Sequence, residues 1–249
     1  MELTQEQRAL RQLQSRITKR FHKACAGYQL IADGDHILIG LSGGKDSLAL
    51  LELLGTRARV HKPSFKVSAV HVRVKERDYQ SDTSYLEDFA RSYNVPLYII
   101  DTEITDMPDK RQIKDPCFLC SWYRRKAIFD LAQEIGCNKI ALGHHQDDLV
   151  ETFLMNILFQ GAVATIPPKL KMDKMPLTMI RPLCLIAEED IRRYAEMRGY
   201  QKQPKLCPFE HVSSRAKVKG LLRQLQELNP EARETIYAAM GNVKKQYLI

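Results

Sequence analysis

The feature that most constrains the fold is a glycine turn inside residues 37–54, ILIGLSGGKDSLALLELL. The apolar residues before the turn have the length of a buried strand, and apolar residues at helical spacing begin directly after it. A helix that begins in such a turn points its first backbone N–H groups and the positive end of its dipole at one place. The turn therefore predicts a phosphate-binding loop at the end of a strand.

The residue types in this loop suit phosphate and not another common nucleotide motif. Its two glycines permit close backbone approach and positive φ, its lysine supplies a point charge, and its two serines supply hydroxyls. The aspartate cannot bind an anion, so it either helps to hold Mg²⁺ or caps the helix. The sequence lacks both G-x-x-x-x-G-K-S/T and G-x-G-x-x-G. The predicted nucleotide-binding residues of the loop are Ser42, Gly43, Gly44, Lys45, Asp46 and Ser47.

The rest of the chain alternates between short apolar segments and helical patterns. Alternation of this kind predicts a parallel sheet with helices on both faces. The predicted strands cover residues 36–41, 66–72, 97–101, 139–142 and 177–182. The predicted helices between and after them cover residues 47–54, 82–93, 120–135 and about 188–198.

The two ends of the chain carry helical patterns outside this alternation. Residues 3–30 predict an amphipathic helix whose polar face is rich in Arg and Lys, and this face is either solvated or a contact surface for a nucleic-acid backbone. We expect an N-terminal helical segment over residues 1–32, an α/β domain over 33–203, and a basic helical C-terminal extension over 204–249.

Composition restricts the class of protein. Lys and Arg number 38 against 30 Asp and Glu, a net charge of +8 that favours a polyanionic partner such as nucleic acid, although a basic enzyme without one fits too. No apolar run approaches the ~20 residues of a membrane span. The charged N-terminus lacks the apolar core of a signal peptide. We therefore expect a cytoplasmic protein without membrane contact whose six cysteines are reduced.

A second polar cluster, Gly-His-His-Gln-Asp-Asp, follows the fourth predicted strand. Ligands of doubly wound sheets bind at the carboxyl ends of strands, so this cluster is expected to face the first loop. Its glycine lets a nucleotide approach the backbone, either histidine suits phosphate or ribose, and either aspartate suits Mg²⁺. An ordinary helix N-terminus is the alternative. The predicted contacts are Gly143, His144 (or His145), Asp147 and Asp148.

The cysteines contain one C-x-x-C, formed by Cys117 and Cys120 at the start of a predicted helix. It fits half of a zinc site, a redox dithiol, or two ligands of an iron–sulfur cluster. Structural zinc needs four N or S ligands, and the sequence has no second C-x-x-C. Cys207 offers a third thiolate, with Cys184 as its rival, and three thiolates suit a 4Fe-4S cluster with one iron left open.

The combination of these motifs resembles the tRNA 2-thiocytidine synthetase family, which belongs to the PP-loop ATP pyrophosphatase superfamily. The resemblance extends over most of the chain. The matching stretches, besides SGGKDS and Cys207, are CFLCSWYRR (117–125), KIALGHH (139–145), IPPKL (166–170), IRPL (180–183) and GNV (241–243).

The resemblance implies an α/β fold: a doubly wound parallel sheet of the PP-loop, adenine nucleotide alpha hydrolase-like type, with N- and C-terminal helical extensions. It implies that ATP adenylates the C2 oxygen of an anticodon-loop cytidine, and that sulfur transfer then gives 2-thiocytidine, AMP and diphosphate. The implied cofactors are ATP, Mg²⁺ and a 4Fe-4S cluster on Cys117, Cys120 and Cys207. The implied catalytic residues are Cys117, Cys120, Lys45 and Asp46.

The implied partners are tRNA and a sulfur donor such as a cysteine desulfurase or free sulfide, with a homodimer left open. Three alternatives share part of the pattern. A related enzyme would thiolate uridine, a lysidine-type ligase would use an amine and need no cluster, and an iron–sulfur redox sensor would bind RNA without turnover.

Overall fold

The computed structural model describes residues 4–75, 83–104, 116–201 and 214–247, and nothing is described of the side chains of residues 116–118, 214 and 245. The strands are β1 (His36–Gly40), β2 (Lys66–Val74), β3 (Leu97–Thr102), β4 (Lys139–Ala141), β5 (Lys169–Lys171) and β6 (Thr178–Ile180). The helices are α1 (Gln5–Gly27), α2 (Lys45–Ala58), α3 (Thr83–Ser92), α4 (Pro116–Glu134), α5 (Gln146–Gln160), α6 (Glu188–Met197), α7 (Ser214–Leu228) and α8 (Ala232–Gly241). A short 3-10 helix follows at Lys245–Tyr247.

The strands form one six-stranded sheet in the order β3-β2-β1-β4-β6-β5. Every neighbouring pair is parallel except β5 and β6, which are antiparallel. Chain order runs outward in both directions from the β1–β4 pair, so a crevice opens at the carboxyl ends of these two strands. The loops after β1 and β4 meet there, and these loops carry the two polar clusters noted in the sequence.

Helices cover both faces of the sheet, as the alternating pattern predicts. Ile37 and Ile39 of β1 point into the larger core, which α1, α2, α3 and α6 complete. Leu38, between them, points to the other face, where it packs with Leu131 and Ala132 of α4. The period-two alternation of a strand thus separates two apolar layers, and α4 lies on the opposite face of the sheet from α1 and α2.

The C-terminal helices pack on α5 and not on the sheet: α7 and α8 contact α5 and each other. Val218 and Leu222 of α7 are buried in this packing. Because α5 begins within the second polar cluster, both terminal helices lie beside the crevice.

The doubly wound α/β architecture and the parallel sheet are confirmed. The division into segments 1–32, 33–203 and 204–249 stays a prediction, and Cys207 lies outside the described residues. Within the described ranges, no helix combines the length and the apolar character needed to cross a bilayer.

Candidate active site

The SGGKDS loop joins β1 to α2 through one left-handed glycine. Gly43 has φ +82°, the region that glycine adopts without strain, whereas Gly44 is the extended N-cap of α2 with φ −78°. The hydroxyl of Ser42 donates to Ser47 Oγ (3.2 Å), and Ser47 Oγ donates to the carbonyl of Gly44 (2.9 Å). These bonds hold the turn closed, and the first N–H groups of α2 have no acceptor within the helix itself.

Gly143 brings the end of β4 against the start of α2. A Cβ at this position would lie 3.1 Å from the carbonyl carbon of Asp46 and 3.2 Å from the nitrogen of Ser47. The glycine is therefore required by close backbone packing of the two loops. The sequence assigned it to nucleotide approach, and that role stays a prediction.

A cavity of 340 Å³ opens where the two loops meet. This volume lies within the ~300–1,000 Å³ range of small-molecule sites. Its walls come from the carboxyl ends of β1, β2 and β4 and from α4. The lining residues are Gly40, Leu41, Ser42, Asp46, Ser47, Val70, Val72, Arg124, Ile128, Leu142, Gly143, His144 and Asp148. Six of the predicted nucleotide contacts thus line one cavity: Ser42, Asp46, Ser47, Gly143, His144 and Asp148.

Asp46 lines this cavity, and one of its carboxylate oxygens has no partner among the described residues. Its Oδ2 accepts a hydrogen bond from Lys45 Nζ at 3.0 Å. Its Oδ1 is buried and has no hydrogen-bond partner among the described residues, and His145 Nε2 lies 3.9 Å from it. A buried carboxylate oxygen without a partner is costly unless a ligand fills the place. The geometry suits a hard cation between Asp46 and a nucleotide.

His144 is a neutral hydrogen-bond donor at the cavity. Burial lowers its pKa to about 4, and the positive charges of Arg181 and Arg215 act in the same direction against Asp148. Its Nδ1 lies 3.3 Å from Nε of Arg181, which can only donate, so Nδ1 is the acceptor. This bond assigns the remaining proton to Nε2. His144 can therefore donate to phosphate or ribose without carrying a charge.

Asp148 serves the start of α5 and also lines the cavity. Its Oδ2 accepts the backbone N–H of His145 at 3.0 Å, and its Oδ1 lies 3.3 Å from Arg215 Nη1 of α7. The carboxylate thus joins the second polar cluster to a C-terminal helix.

Asp147 is fully engaged with other parts of the protein. Its Oδ2 accepts the backbone N–H of Glu188 at 2.7 Å, and its Oδ1 accepts from Arg233 of α8 at 2.8 Å. Asp147 thereby ties α5 to α6 and α8. The predicted metal or nucleotide role of either aspartate stays a prediction, and of the two only Asp148 is among the described residues that line the cavity.

The C-x-x-C lies at the start of α4, the helix that closes one side of the cavity. Cys120 is a half-buried free thiol. It precedes the cavity residue Arg124 by four positions, and residues four apart share a helix face. The side chain of Cys117 and all of Cys207 lie outside the description, and the described side chains include no three-residue metal-ligand group. The three-cysteine cluster site therefore stays a prediction.

Cys184 lies in a different environment from Cys120. It is fully buried in the core that α1, α2 and α6 form, on the face of the sheet away from α4. Burial raises the pKa of its thiol to about 12, with the thiol of Cys25 nearby on α1. Its place in the core on the face of the sheet away from α4 disfavours Cys184 as a partner of Cys120, and the choice of third ligand stays a prediction.

Several charged residues at the site were not singled out from the sequence. Arg181 and Glu188 follow β6, whose carboxyl end lies next to that of β4. Because ligands of such sheets bind at the carboxyl ends of the strands, these two residues could have been predicted at the site. The remaining ones come from the C-terminal helices and have no local signal, because they reach the site only through long-range packing. These residues are Arg215 and Arg233.

Comparison with known proteins agrees with this geometry. Residues 9–202 match the family model described as a PP-loop domain. The tRNA-cytidine(32) 2-sulfurtransferase of Shewanella oneidensis is 36% identical over 236 residues, which cover 94% of this chain and 76% of that protein. The protein of the same name from Alkalilimnicola ehrlichii is 34% identical, covering 96% of this chain and 76% of that protein.

A solved structure supports the same fold. The U34-tRNA thiolase NcsA from Methanococcus maripaludis, solved with its 4Fe-4S cluster, superposes with a TM-score of 0.75 at 25% identity. The superposition covers 95% of this chain and 81% of that one. The family model matches most of the chain, and the relatives are 34–36% identical over most of both chains. This chain therefore belongs to the PP-loop family and, within it, to the tRNA-cytidine(32) 2-sulfurtransferases.

Proposed function

We propose that this chain is a tRNA sulfurtransferase that adenylates the C2 oxygen of cytidine 32 with ATP and then replaces that oxygen with sulfur. The products are 2-thiocytidine, AMP and diphosphate. The observation that carries the proposal is one cavity that joins the SGGKDS loop to the helix bearing the C-x-x-C. The names of the curated relatives support the choice of tRNA and cytidine.

The loop residues would bind the leaving diphosphate. The first N–H groups of α2 and the hydroxyls of Ser42 and Ser47 would donate to it, and the ammonium of Lys45 would turn to it, so that negative charge is stabilised as it develops. His144 would add a neutral donor through Nε2. The attacking C2 oxygen forms a bond to the α-phosphorus while the bond to diphosphate breaks, so a poor leaving oxygen becomes part of an adenylate.

Mg²⁺ would be held by Asp46, with Asp148 as the second carboxylate at the cavity. The unpartnered Oδ1 of Asp46 supports this assignment, because a carboxylate oxygen is a ligand that hard cations prefer. When bound, Mg²⁺ neutralises part of the phosphate charge. Lys45 remains near Oδ2 of the same carboxylate, so cation and ammonium would share it from two sides.

The sulfur step would use the thiols at the start of α4. Cys117, Cys120 and Cys207 would hold a 4Fe-4S cluster, and the free, half-buried thiol of Cys120 on the cavity face of α4 fits this role. When bound, such a cluster supplies an iron with an open position for sulfide. Arg124, one turn further along α4, would hold RNA phosphate near the reacting base.

The tRNA would lie across the basic face of α1. A shallow groove there is lined by Arg11, Arg16, Lys19 and Arg20, and Arg16 contacts Asp190 in the first turn of α6 at 2.5 Å. This turn also contains Glu188, which borders the nucleotide site, so the groove leads towards the cavity. We propose a cytoplasmic location, where tRNA is available. A sulfur donor such as a cysteine desulfurase or free sulfide, and a homodimer, stay predictions.

Mass spectrometry of tRNA nucleosides from cells with and without this gene tests the proposal. Loss of 2-thiocytidine is the predicted result. Loss of a thiouridine would transfer the activity to uridine, and loss of lysidine would point to amine ligation. An unchanged nucleoside profile would favour an iron–sulfur sensor that binds RNA without turnover.

Cys120 and Cys137 form a matched pair for the sulfur step. Complementation with Cys120→Ser should leave 2-thiocytidine absent, because a cluster ligand is lost. Cys137→Ala should restore it, because Cys137 is a core thiol whose pKa burial raises to about 11. Equal activity of both variants would contradict the assignment of Cys120.

A further inference from the structure

Lys45 is held by two carboxylates before any phosphate arrives. Its Nζ lies 3.0 Å from Asp46 Oδ2 and 3.4 Å from Glu188 Oε1. A triphosphate must therefore compete with Glu188 for the ammonium of the loop.

Glu188 has a second cation on its other oxygen. Lys219 of α7 donates to Glu188 Oε2, so the carboxylate lies between Lys45 and Lys219. Burial alone would raise the pKa of Glu188, but the bond from Lys219 and the charges of both lysines lower it to about 2. Glu188 is thus ionised throughout the physiological range, and its charge is shared between two partners.

We propose that Lys219 is a positioning residue that neutralises Glu188 and thereby makes Lys45 available to ATP. This inference rests on the ATP step of the proposed function. Without Lys219, the whole charge of Glu188 would face Lys45 and would also repel the incoming phosphates at short range. With Lys219 in place, Glu188 keeps a partner when Lys45 turns to phosphate, and no buried carboxylate is left unpaired.

Helix α7 does not depend on Lys219 for its place. Val218 and Leu222 bury their side chains in the packing of α7, and Arg215 contacts both Asp148 and Thr152 Oγ1 at 3.3 Å. Removing the charge of Lys219 therefore tests electrostatics and leaves the docking of the helix in place. Lys217, exposed on the same helix, provides a control position.

The test is calorimetric titration of the full chain with Mg²⁺ and an ATP analogue that has a methylene bridge between the α and β phosphates, without tRNA. We expect Lys219→Met to weaken binding about tenfold, the effect of roughly one charge contact. Lys219→Arg and Lys217→Met should bind as the wild type does. Thermal unfolding of each variant checks that the fold is kept.

The double variant decides between mechanisms. If Lys219 acts through Glu188, Glu188→Gln alone should not weaken binding of the analogue. The double variant, Lys219→Met with Glu188→Gln, should then bind the analogue with an affinity within about threefold of that of Glu188→Gln. A double variant as weak as Lys219→Met would mean that Lys219 acts on phosphate or structure directly, and would overturn the inference, as would wild-type affinity in Lys219→Met. Failure of the wild-type chain to bind the analogue would overturn the ATP step itself.

Discussion

Two carboxylates on the same helix, the half-buried Asp46 and the buried Glu52 of α2, have opposite surroundings. Glu52 accepts hydrogen bonds from the hydroxyls of Tyr194 (2.6 Å) and Tyr200 (2.7 Å), and Arg198 lies 3.1 Å from it. Asp46 has one oxygen on Lys45 and another with no partner among the described residues. A buried carboxylate with a complete set of hydrogen-bond partners, such as Glu52, has a structural role, whereas a carboxylate at a cavity with one oxygen unpartnered, such as Asp46, indicates a ligand site.

The phenols around Glu52 reinforce its structural role. Burial, followed by the negative charge of Glu52, raises the pKa of Tyr194 and of Tyr200 far above the usual range. Both hydroxyls therefore remain protonated and donate to the carboxylate at every physiological pH. This cluster fastens α6 to α2, and α6 in turn places Glu188 beside the loop.

The largest effect is expected at Glu52. Glu52→Ala should lower the free energy of unfolding by about 3–5 kcal/mol, because it leaves two phenol donors unsatisfied and a cavity in the core. Urea unfolding measures this loss, and the affinity of the folded protein for the ATP analogue should stay the same. A loss below about 1 kcal/mol would break the comparison, since Glu52 would then be dispensable to the fold.

At Asp46 we expect a loss of activity with little change in stability, the opposite of the result at Glu52. Asp46→Asn should reduce tRNA-dependent diphosphate release by about 10²–10³-fold, the usual cost of losing one charge-stabilising group at a reacting centre. Its thermal midpoint should remain close to that of the wild type, because Oδ1 has no hydrogen-bond partner among the residues that the structure describes. A large loss of stability with activity retained would assign Asp46 to helix capping only.

Two glycines, Gly55 within α2 and Gly143 against its first turn, sharpen the same contrast. A Cβ on Gly55 would lie 2.9 Å from Tyr93 Cβ, so Gly55→Ala should cost about 1–3 kcal/mol of stability by overpacking, reduced by the gain in helix propensity. Gly143→Ala should instead displace the start of α2 and weaken binding of the ATP analogue about tenfold. Urea unfolding and titration of both variants check this, and interchanged effects would contradict it.

The smallest effect concerns the pH dependence of stability. The folded pKa of His144 is lowered from 6.5 to about 4, so between these values the unfolded chain binds a proton that the folded chain does not. This group therefore costs up to ~1.4 kcal/mol of stability per pH unit as pH falls through that window. In urea unfolding, the free energy of unfolding of His144→Gln should fall less between pH 7 and 4.5 than that of the wild type. An identical dependence on pH would show that His144 is not buried in its neutral form.

The parts of the fold that the sequence predicted are those with a local signal. The strands β1 and β4 and the loops after them could be located because apolar runs and turn residues mark them directly. Helix α2 begins two positions earlier than predicted, at Lys45, because Gly44 provides the N-cap. The exposed strand β5 was missed, since its three residues are ordered only by pairing with β6.

Site residues at the ends of strands could be predicted from the sequence, whereas those that reach the site through helix packing could not. The rule that ligands bind at the carboxyl ends of strands brought Asp46 and His144 together, as the cavity shows. Helix α5 was not among the predicted helices, because its buried residues do not follow one apolar stripe. Contacts such as Arg233 with Asp147 depend on how α8 packs on α5, and no local pattern encodes them.

The central claim is that the free oxygen of Asp46 marks the metal and nucleotide site. A crystal structure with Mn²⁺ in place of Mg²⁺ and the methylene analogue of ATP tests it, because manganese is located by its anomalous signal. The account predicts manganese on Asp46 Oδ1, at the roughly 2.1 Å that Mg²⁺ takes to carboxylate oxygens, with the triphosphate on the SGGKDS loop. Manganese bound elsewhere, with Asp46 Oδ1 still without a ligand, would contradict it.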